Sequence, residues 1–184
     1  MEKGKIIFLN GVSTAGKTTL SRKLQEHLTT PYYWLSFDYF LNISPERYLR
    51  NQNSEGRAIM NKSASMLPHV VKSFSDKGLN TIADGIYLKV DNLLDECVEL
   101  LHGYPIMFVN VTCPIEELRR RKEEYGINNP IDIIEWQLLE LVPKDIYDLT
   151  VDTTKDDCVD NIVNLLNYPE KFTAFKTLWS QLTR

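Results

Sequence analysis

Short apolar runs alternate with longer amphipathic segments along most of the chain. The runs expected to form strands are residues 5–10, 32–37, 79–84, 106–112 and 149–152. Most of these runs are apolar at consecutive positions, which is typical of parallel strands buried on both faces. The second run, YYWLSF, is rich in aromatic residues, which favour strands.

Helical spacing of apolar residues predicts helices between and after these strands. The expected helices are residues 18–28, 58–74, 90–101, 115–124, 131–141, 156–166 and 169–182. In the first, Leu20, Leu24 and Leu28 lie on one stripe. Pro68 is expected to kink or divide the second, and residues 42–55 are expected to form a loop or short helices. This alternation predicts βαβ units, a mainly parallel sheet and right-handed crossovers.

The first strand is followed by GVSTAGKT, residues 11–18, which matches the phosphate-loop pattern G-x-x-x-x-G-K-[ST]. Glycines let the backbone curl so that successive N–H groups converge on phosphate oxygens, and the next helix turns its positive end toward the same anion. Lys17 supplies a charge for the β- and γ-phosphates, and the Thr18 hydroxyl suits Mg²⁺. The predicted contacts of a nucleoside triphosphate are Gly11, Ser13, Thr14, Ala15, Gly16, Lys17, Thr18 and Thr19.

Two aspartates follow predicted strands, Asp38 after the second and Asp84 at the end of the third. Ligands of an open parallel sheet bind beyond the carboxyl ends of its strands, so both are expected at the site. Asp84 is the candidate Mg²⁺ ligand, through water, and its alternative role is to cap the turn at Gly85. Asp38 is the candidate general base for an acceptor hydroxyl, and its alternative is a strand-end residue beside an aromatic core. The neighbouring aromatic residues predicted to line an acceptor pocket are Phe37, Tyr39 and Phe40.

A basic run, Arg119 to Arg121, follows the fourth strand. Such runs usually form a solvated helix face, but arginines at this place in a small phosphate-loop fold can close over the transferred phosphate. The sequence does not decide which of them faces inward; Arg120 is our catalytic candidate and Arg119 a candidate nucleotide contact. Arg57, farther back in the chain, either binds an anionic group of the acceptor or is exposed.

Composition narrows the class of partner. The chain has 184 residues and a formal net charge of −4, which argues against nucleic-acid binding. No apolar run approaches the ~20 residues of a membrane span, and no signal-peptide pattern is present. The three cysteines form no C-x-x-C pair and are expected to be reduced. We expect a single cytoplasmic domain, monomeric or homodimeric, that acts without nucleic acid or membrane.

Beyond the phosphate loop, the chain resembles the chloramphenicol phosphotransferase-like family of P-loop kinases. The segments that carry the resemblance, in the family's order, are LNGVSTAGKTTLSRKLQEHL, FDYFL, ADGIYL, VNVTCPIEELRRRKEEYG and QLLELVPKDIYDLTVDTT. The resemblance implies an α/β, three-layer P-loop kinase fold with a five-stranded parallel sheet flanked by helices. It also implies transfer of the γ-phosphate of ATP to a hydroxyl of a small molecule, with antibiotic-like compounds among the candidates.

The same resemblance implies roles for particular residues. Asp38 falls at the family's general base, Thr153 lies near the adenine, and the arginine run begins a lid over about 115–131. The acceptor-binding segment corresponds to about 38–76. Family lids often continue with R-G-x-R, whereas this chain has Tyr125, Gly126 and Ile127 there, so its lid supplies fewer charges.

Two alternatives to a small-molecule kinase stay open at this point. One is a nucleoside or nucleotide kinase of the same architecture. The other is a nucleotide-binding regulatory protein with little catalysis, which the reduced lid motif favours. ATP is expected rather than GTP, because the sequence lacks the N/T-K-x-D pattern of guanine-specific proteins.

Overall fold

The computed structural model describes residues 2–49, 54–90, 92–124 and 131–183. The strands are β1 (Ile6–Asn10), β2 (Tyr32–Ser36), β3 (Asn80–Gly85), β4 (Ile106–Thr112) and β5 (Leu149–Asp152). The helices are α1 (Lys17–His27), α2 (Phe37–Asn42), α3 (Glu46–Leu49), α4 (Ser54–Ala64), α5 (Met66–Asp76), α6 (Leu93–Leu101), α7 (Ile115–Glu124), α8 (Ile131–Glu140), α9 (Cys158–Leu166) and α10 (Ala174–Leu182). Short 3₁₀ turns are formed by Lys144–Ile146 and Pro169–Lys171.

The five strands form one parallel sheet in the order β2-β3-β1-β4-β5. The central strand β1 pairs with β3 on one side and β4 on the other, so that Phe8 lies opposite Ala83 and Phe108. Parallel neighbours require crossover connections, which the helices between the strands supply. The predicted five-stranded parallel sheet is confirmed.

Helices cover both faces of the sheet and give three layers. Because side chains alternate along a strand, Ile6 and Phe8 of β1 point to one face and Ile7 and Leu9 to the other. The first face packs against α5, α6 and α10, and the second against α1, α7, α8 and α9. All four β1 side chains are fully buried, as the continuous apolar run predicts.

Near the site, one element differs from the sequence expectation and another confirms it. β2 ends at Ser36 and not at Phe37, because the Ser36 hydroxyl accepts a hydrogen bond from the Asp38 N–H and caps α2. The helix predicted over 58–74 is divided, as Pro68 led us to expect, into α4 and α5, which meet at Ser65. Pro68 causes the division, since it has no N–H to donate to the carbonyl of Ala64.

Two further observations concern exposure and redox state. No helix in the ranges described above has the length and apolar character needed to cross a bilayer. Cys97, Cys113 and Cys158 are buried and unpaired, in agreement with the expectation of reduced thiols.

Candidate active site

The phosphate loop is a tight curl between β1 and α1. Thr14 and Gly16 both adopt left-handed backbone conformations, with φ of 62° and 96°. Glycine adopts this conformation at little cost, whereas at Thr14 it is unusual and is held by the surrounding structure. Gly11 has a different requirement, because a Cβ there would lie 2.2 Å from the Val111 carbonyl oxygen. The glycine spacing therefore reflects both curvature and close packing on β4.

The start of α1 presents unpaired amides. The N–H groups of Gly16, Lys17 and Thr18 donate to no acceptor in the described part of the chain, and no side chain caps the helix. The first N–H groups of a helix have no partner within the helix, and the helix dipole adds positive potential there. This arrangement suits a phosphate oxyanion.

Lys17 folds back over the same loop. Its ammonium donates to the carbonyls of Gly11 and Val12 at 2.8 Å and 2.9 Å. Burial lowers the pKa of Lys17 to about 8, while the nearby carboxylates of Asp84 and Asp38 act in the opposite direction. The ammonium is thus poorly solvated, which favours pairing with an anion.

Asp84 is buried, and both its oxygens accept hydrogen bonds. Trp34 and Ser21 donate to Oδ2 at 2.7 Å and 3.2 Å, and Ser36 donates to Oδ1 at 2.7 Å. These donors belong to β2 and α1, and the sheet register sets Ser36 directly beside Asp84. The sequence predicted Asp84 at the site but not its three donors. Their positions follow from the strand register, which the sequence does not specify.

Asp38 lies in the first turn of α2, close to Asp84 and Lys17. Its side chain is exposed to solvent within a concavity, where surrounding protein atoms still limit its hydration. The limited hydration raises the pKa of the Asp38 carboxyl. The charge of Asp84 raises this pKa further, and the charge of Lys17 opposes both effects. A carboxylate with a raised pKa is a stronger proton acceptor than a free one.

These groups share one cavity of about 630 Å³ at the carboxyl edge of the sheet. The residues predicted from the sequence that line it are Ser13, Thr14, Gly16, Lys17, Thr18, Thr19, Phe37, Asp38, Asp84, Arg120 and Thr153. Those predicted for the site that do not line it are Gly11, Ala15, Tyr39, Phe40 and Arg119. The side chain of Arg57 and the lid residues 125–130 lie outside the described residues.

The aromatic residues around Asp38 point in different directions, as consecutive residues of a helix must. Phe37 lines the cavity. Phe40 packs against the core, and the exposed Tyr39 ring lies 5.4 Å from the Trp34 ring between centroids. Only one of the three therefore reaches the cavity wall in this structure.

The first two arginines of the basic run are held by acids on the surface. Arg119 pairs with Glu135 of α8 at 2.6 Å. Arg120 lines the cavity but pairs with Glu117 at 2.8 Å and Glu124 at 2.7 Å, and its side chain is 61% exposed. Neither guanidinium contacts the phosphate loop.

Arg121 is the arginine that reaches the phosphate loop. Its side chain is 13% exposed and donates to Glu117 at 2.7 Å and to the Thr153 hydroxyl at 2.9 Å. The sequence leaves open which arginine of the run faces inward, and Arg120 is not the one. Arg121 lies three residues after the buried Leu118 and is therefore at the edge of the helix face that packs inward, a spacing that could have identified it.

Gln137 of α8 is a second residue that the sequence did not single out. It is buried, and its side-chain oxygen accepts a hydrogen bond from the Ser13 N–H at 3.0 Å. The loop is thus held from outside by α8. The only sequence signal for Gln137 was its place in the segment QLLELVPK, which indicates no role for the side chain.

Strand order, phosphate loop and a cavity at the carboxyl edge of the sheet together define a P-loop protein of the kinase type. Comparison with known families is more specific. The model of the family described as chloramphenicol phosphotransferase-like protein matches residues 4–167. The chain belongs to this family, as its sequence resemblance implies.

Individual relatives are more distant. A Mycobacterium tuberculosis protein, whose name provisionally makes it an O-phosphotransferase, is 26% identical over 151 residues, which cover 71% of this chain and 67% of the relative. The adenylyl-sulfate kinase of Clostridium acetobutylicum is 27% identical over 186 residues, with 90% and 84% coverage. The crystal structure of the M. tuberculosis APS kinase in complex with AMPPNP and APS has a TM-score of 0.67 at 18% identity, with 91% and 99% coverage. At 18% identity, this structural similarity shows that the two proteins share a fold.

Proposed function

We propose that this protein is an ATP- and Mg²⁺-dependent O-phosphotransferase that transfers the γ-phosphate to a hydroxyl group of a small molecule. The observation that carries the proposal is the meeting of three groups in one cavity. Unpaired amides of the phosphate loop, the Lys17 ammonium and the Asp38 carboxylate all line it. This combination would hold a polyphosphate beside a base that can accept a proton.

Nucleotide binding is assigned to the phosphate loop. Its amides and Lys17 would hold the β- and γ-phosphates, and Thr18 and Thr19 lie at the same end of α1. Lys17 would exchange its carbonyl partners for phosphate oxygens, which satisfy an ammonium better because they are charged.

Thr18 and Asp84, which both line the cavity, would hold a magnesium ion. In the described ranges, no cluster of three or more His, Cys, Asp or Glu side chains could hold a metal alone, so phosphate oxygens and water would complete the coordination. Asp84 Oδ1 accepts one hydrogen bond and keeps capacity for a metal-bound water. The ion would neutralise charge on the transferred phosphate.

Asp38 would accept the proton of the acceptor hydroxyl. The oxygen of that hydroxyl would attack the γ-phosphorus as the bond between the γ-phosphorus and the β-γ bridging oxygen breaks. The raised pKa of Asp38 supports this role. Arg120, on the cavity rim, would neutralise developing charge after leaving its surface acids.

The acceptor is assigned to the end of the cavity at Phe37 and Asp38, where the proposed acceptor-binding segment of about 38–76 begins, with residues of about 115–131 as the lid. Phe37 would contact the acceptor directly, and Tyr39, Phe40 and Arg57 remain candidates in the same segment. Antibiotic-like alcohols, including chloramphenicol, belong in the first panel of acceptors because of the family to which the chain belongs.

A second candidate acceptor is an adenylyl sulfate, and one observation favours it. The adenylyl-sulfate kinase relative covers 90% of this chain, more than the O-phosphotransferase relative does. Its acceptor would present a hydroxyl on a nucleotide, in line with the nucleotide-kinase alternative.

An acceptor screen with ATP and Mg²⁺, followed by mass spectrometry, tests the proposal. The panel holds antibiotic-like alcohols, sugars, nucleosides, nucleotides and adenylyl sulfate, and Asp38→Asn protein is the matched control. A phosphorylated product with the wild type and its loss with the control would support the proposal and identify the acceptor class. Nucleotide binding without product across the panel would favour the regulatory alternative.

A further inference from the structure

The Thr153 side chain lies between the lid helix α7 and the phosphate loop. Its hydroxyl donates to the Ala15 carbonyl at 2.7 Å, and Arg121 donates to the same hydroxyl at 2.9 Å. The Thr153 N–H donates to the Thr112 carbonyl at 2.9 Å, which anchors the residue at the end of β4. Thr153 therefore connects the loop, through its hydroxyl, to the sheet, through its N–H.

The contact at Ala15 sets the direction of the next amide. The peptide between Ala15 and Gly16 is trans and planar, so its C=O and N–H point in opposite directions. With the carbonyl held toward Thr153, the Gly16 N–H points away from Thr153 and donates to no acceptor in the described ranges. This amide is one of those available to a phosphate oxygen.

Gly16 also leaves the space that the contact needs. A Cβ at this position would lie 3.1 Å from both the Thr153 hydroxyl and the Arg121 guanidinium, closer than most such contacts. A side chain would therefore push both groups away from the loop. The glycine serves the contact as well as the left-handed turn.

Arg121 connects this hydroxyl to α7. Its Nε donates to Glu117, one turn earlier, and its guanidinium lies 3.4 Å from the Thr14 carbonyl. Most of its donors are thus directed at protein groups. A movement of α7 would be passed to Thr153 and from there to the loop.

We propose that Thr153 and Arg121 are positioning residues that orient the Gly16 amide toward phosphate and couple the lid helix to phosphate binding. The inference rests on the proposed function only as far as polyphosphate binding. In this proposal Thr153 supports phosphate binding, whereas the family resemblance implies a contact with the adenine.

Isothermal titration calorimetry tests this assignment by measuring the affinity for the Mg²⁺ complexes of ATP, GTP and inorganic tripolyphosphate. Thr153→Val removes the hydroxyl at nearly constant shape, and the expected result is an equal, about tenfold, loss of affinity for all three ligands. Thr153→Ser keeps the hydroxyl and is expected to restore the affinity. A loss confined to ATP would place Thr153 at the base and overturn the proposal.

Amide NMR adds a readout that a general loss of stability does not move. Tripolyphosphate is expected to shift the Gly16 amide resonance in the wild type, and this shift is expected to shrink in Thr153→Val while the rest of the spectrum stays. If Thr153→Val does not fold, Arg121→Gln breaks the other contact and carries the same expectations. Unchanged tripolyphosphate affinity in the folded variants overturns the positioning role but leaves the proposed function intact. A wild type that binds none of the three ligands overturns the proposed function itself.

A double variant separates positioning from direct contact by Arg121. If both residues act through one path, Thr153→Val with Arg121→Gln is expected to lose about as much affinity as the more affected single variant. Losses that add fully would mean that Arg121 contacts the phosphate independently, and would contradict the coupling.

Discussion

The two sides of the cavity are built differently. On the side proposed for the nucleotide, loop carbonyls and amides form hydrogen bonds with Arg121, Gln137 and Thr153. On the side proposed for the acceptor, α2 contributes Phe37 and Asp38 to the cavity and has no buried residue, and Tyr39, outside the cavity, is 47% exposed. A phosphate has one charge pattern and one geometry, so a fixed cradle serves it. An acceptor varies in shape, and the side chains that would meet it are less constrained by the fold.

The largest expected effect is the loss of kcat when Asp38 is replaced by Asn. Loss of the base is expected to lower kcat about 10²- to 10⁴-fold, with the affinity for ATP nearly unchanged because the phosphate loop is intact. Steady-state kinetics with the identified acceptor and titration with ATP provide the two measurements. Undiminished kcat would remove Asp38 from the mechanism, and a parallel loss of ATP affinity would remove the separation between the two sides.

A change at Asp84 is expected to affect both sides. Its carboxylate binds Ser21 on α1 and Trp34 and Ser36 on β2, so Asp84→Ala leaves three donors without their acceptor. We expect a loss of about 1–3 kcal/mol in the free energy of unfolding, measured by urea titration. Ser21→Ala, which removes one donor only, is the milder control. A stability equal to that of the wild type would contradict the bridging role.

The pH dependence sharpens the assignment of Lys17. Its pKa is lowered to about 8, and only the ammonium form attracts phosphate. As pH rises through this value the charge is lost, so kcat/KM for ATP is expected to fall about tenfold per pH unit above it. In Lys17→Arg the guanidinium does not titrate in this range, and this alkaline limb is expected to disappear from the residual activity. A limb that persists would belong to another group.

The smallest expected effect concerns Tyr39. Because the ring is exposed, lies beside Trp34 and does not line the cavity, Tyr39→Ala is expected to raise KM for the acceptor by a few-fold at most and to leave KM for ATP unchanged. Phe37→Ala, at the cavity wall, is the matched comparison and is expected to have the larger effect on acceptor KM. The reverse order would mean that the acceptor binds outside the cavity described here.

The same contrast explains what the sequence could predict. The bounds of β4, α7 and β5 are those that the sequence predicts. For β4, burial along nearly the whole strand leaves a continuous apolar signal. Lys17 and Thr18 were identifiable because phosphate binding needs a fixed spacing. By contrast, the end of β2 was placed one residue late, since the Ser36 cap competes with strand propensity.

Long-range partners were beyond the sequence. The hydrogen bonds of Asp84 and the contact between Ser13 and Gln137 join residues far apart in the chain, and they depend on how the elements pack. For Arg121, the spacing from Leu118 was a local signal, but its contacts with Thr14 and Thr153 depend on the packing of the elements. The Asp38 role and the acceptor contacts remain predictions.

The junction at Ser65 has a consequence for evolution. Pro68 separates α4 from α5, whose Leu67 and Val71 are anchored in the core. The residues of α3 and α4, which lie between α2 and this junction, can therefore diverge with little effect on the folding of the sheet, except for the buried Ala64. Relatives that use new alcohols would be expected to differ mainly there, and chimeric proteins spliced at Ser65 would inherit their selectivity from the upstream donor.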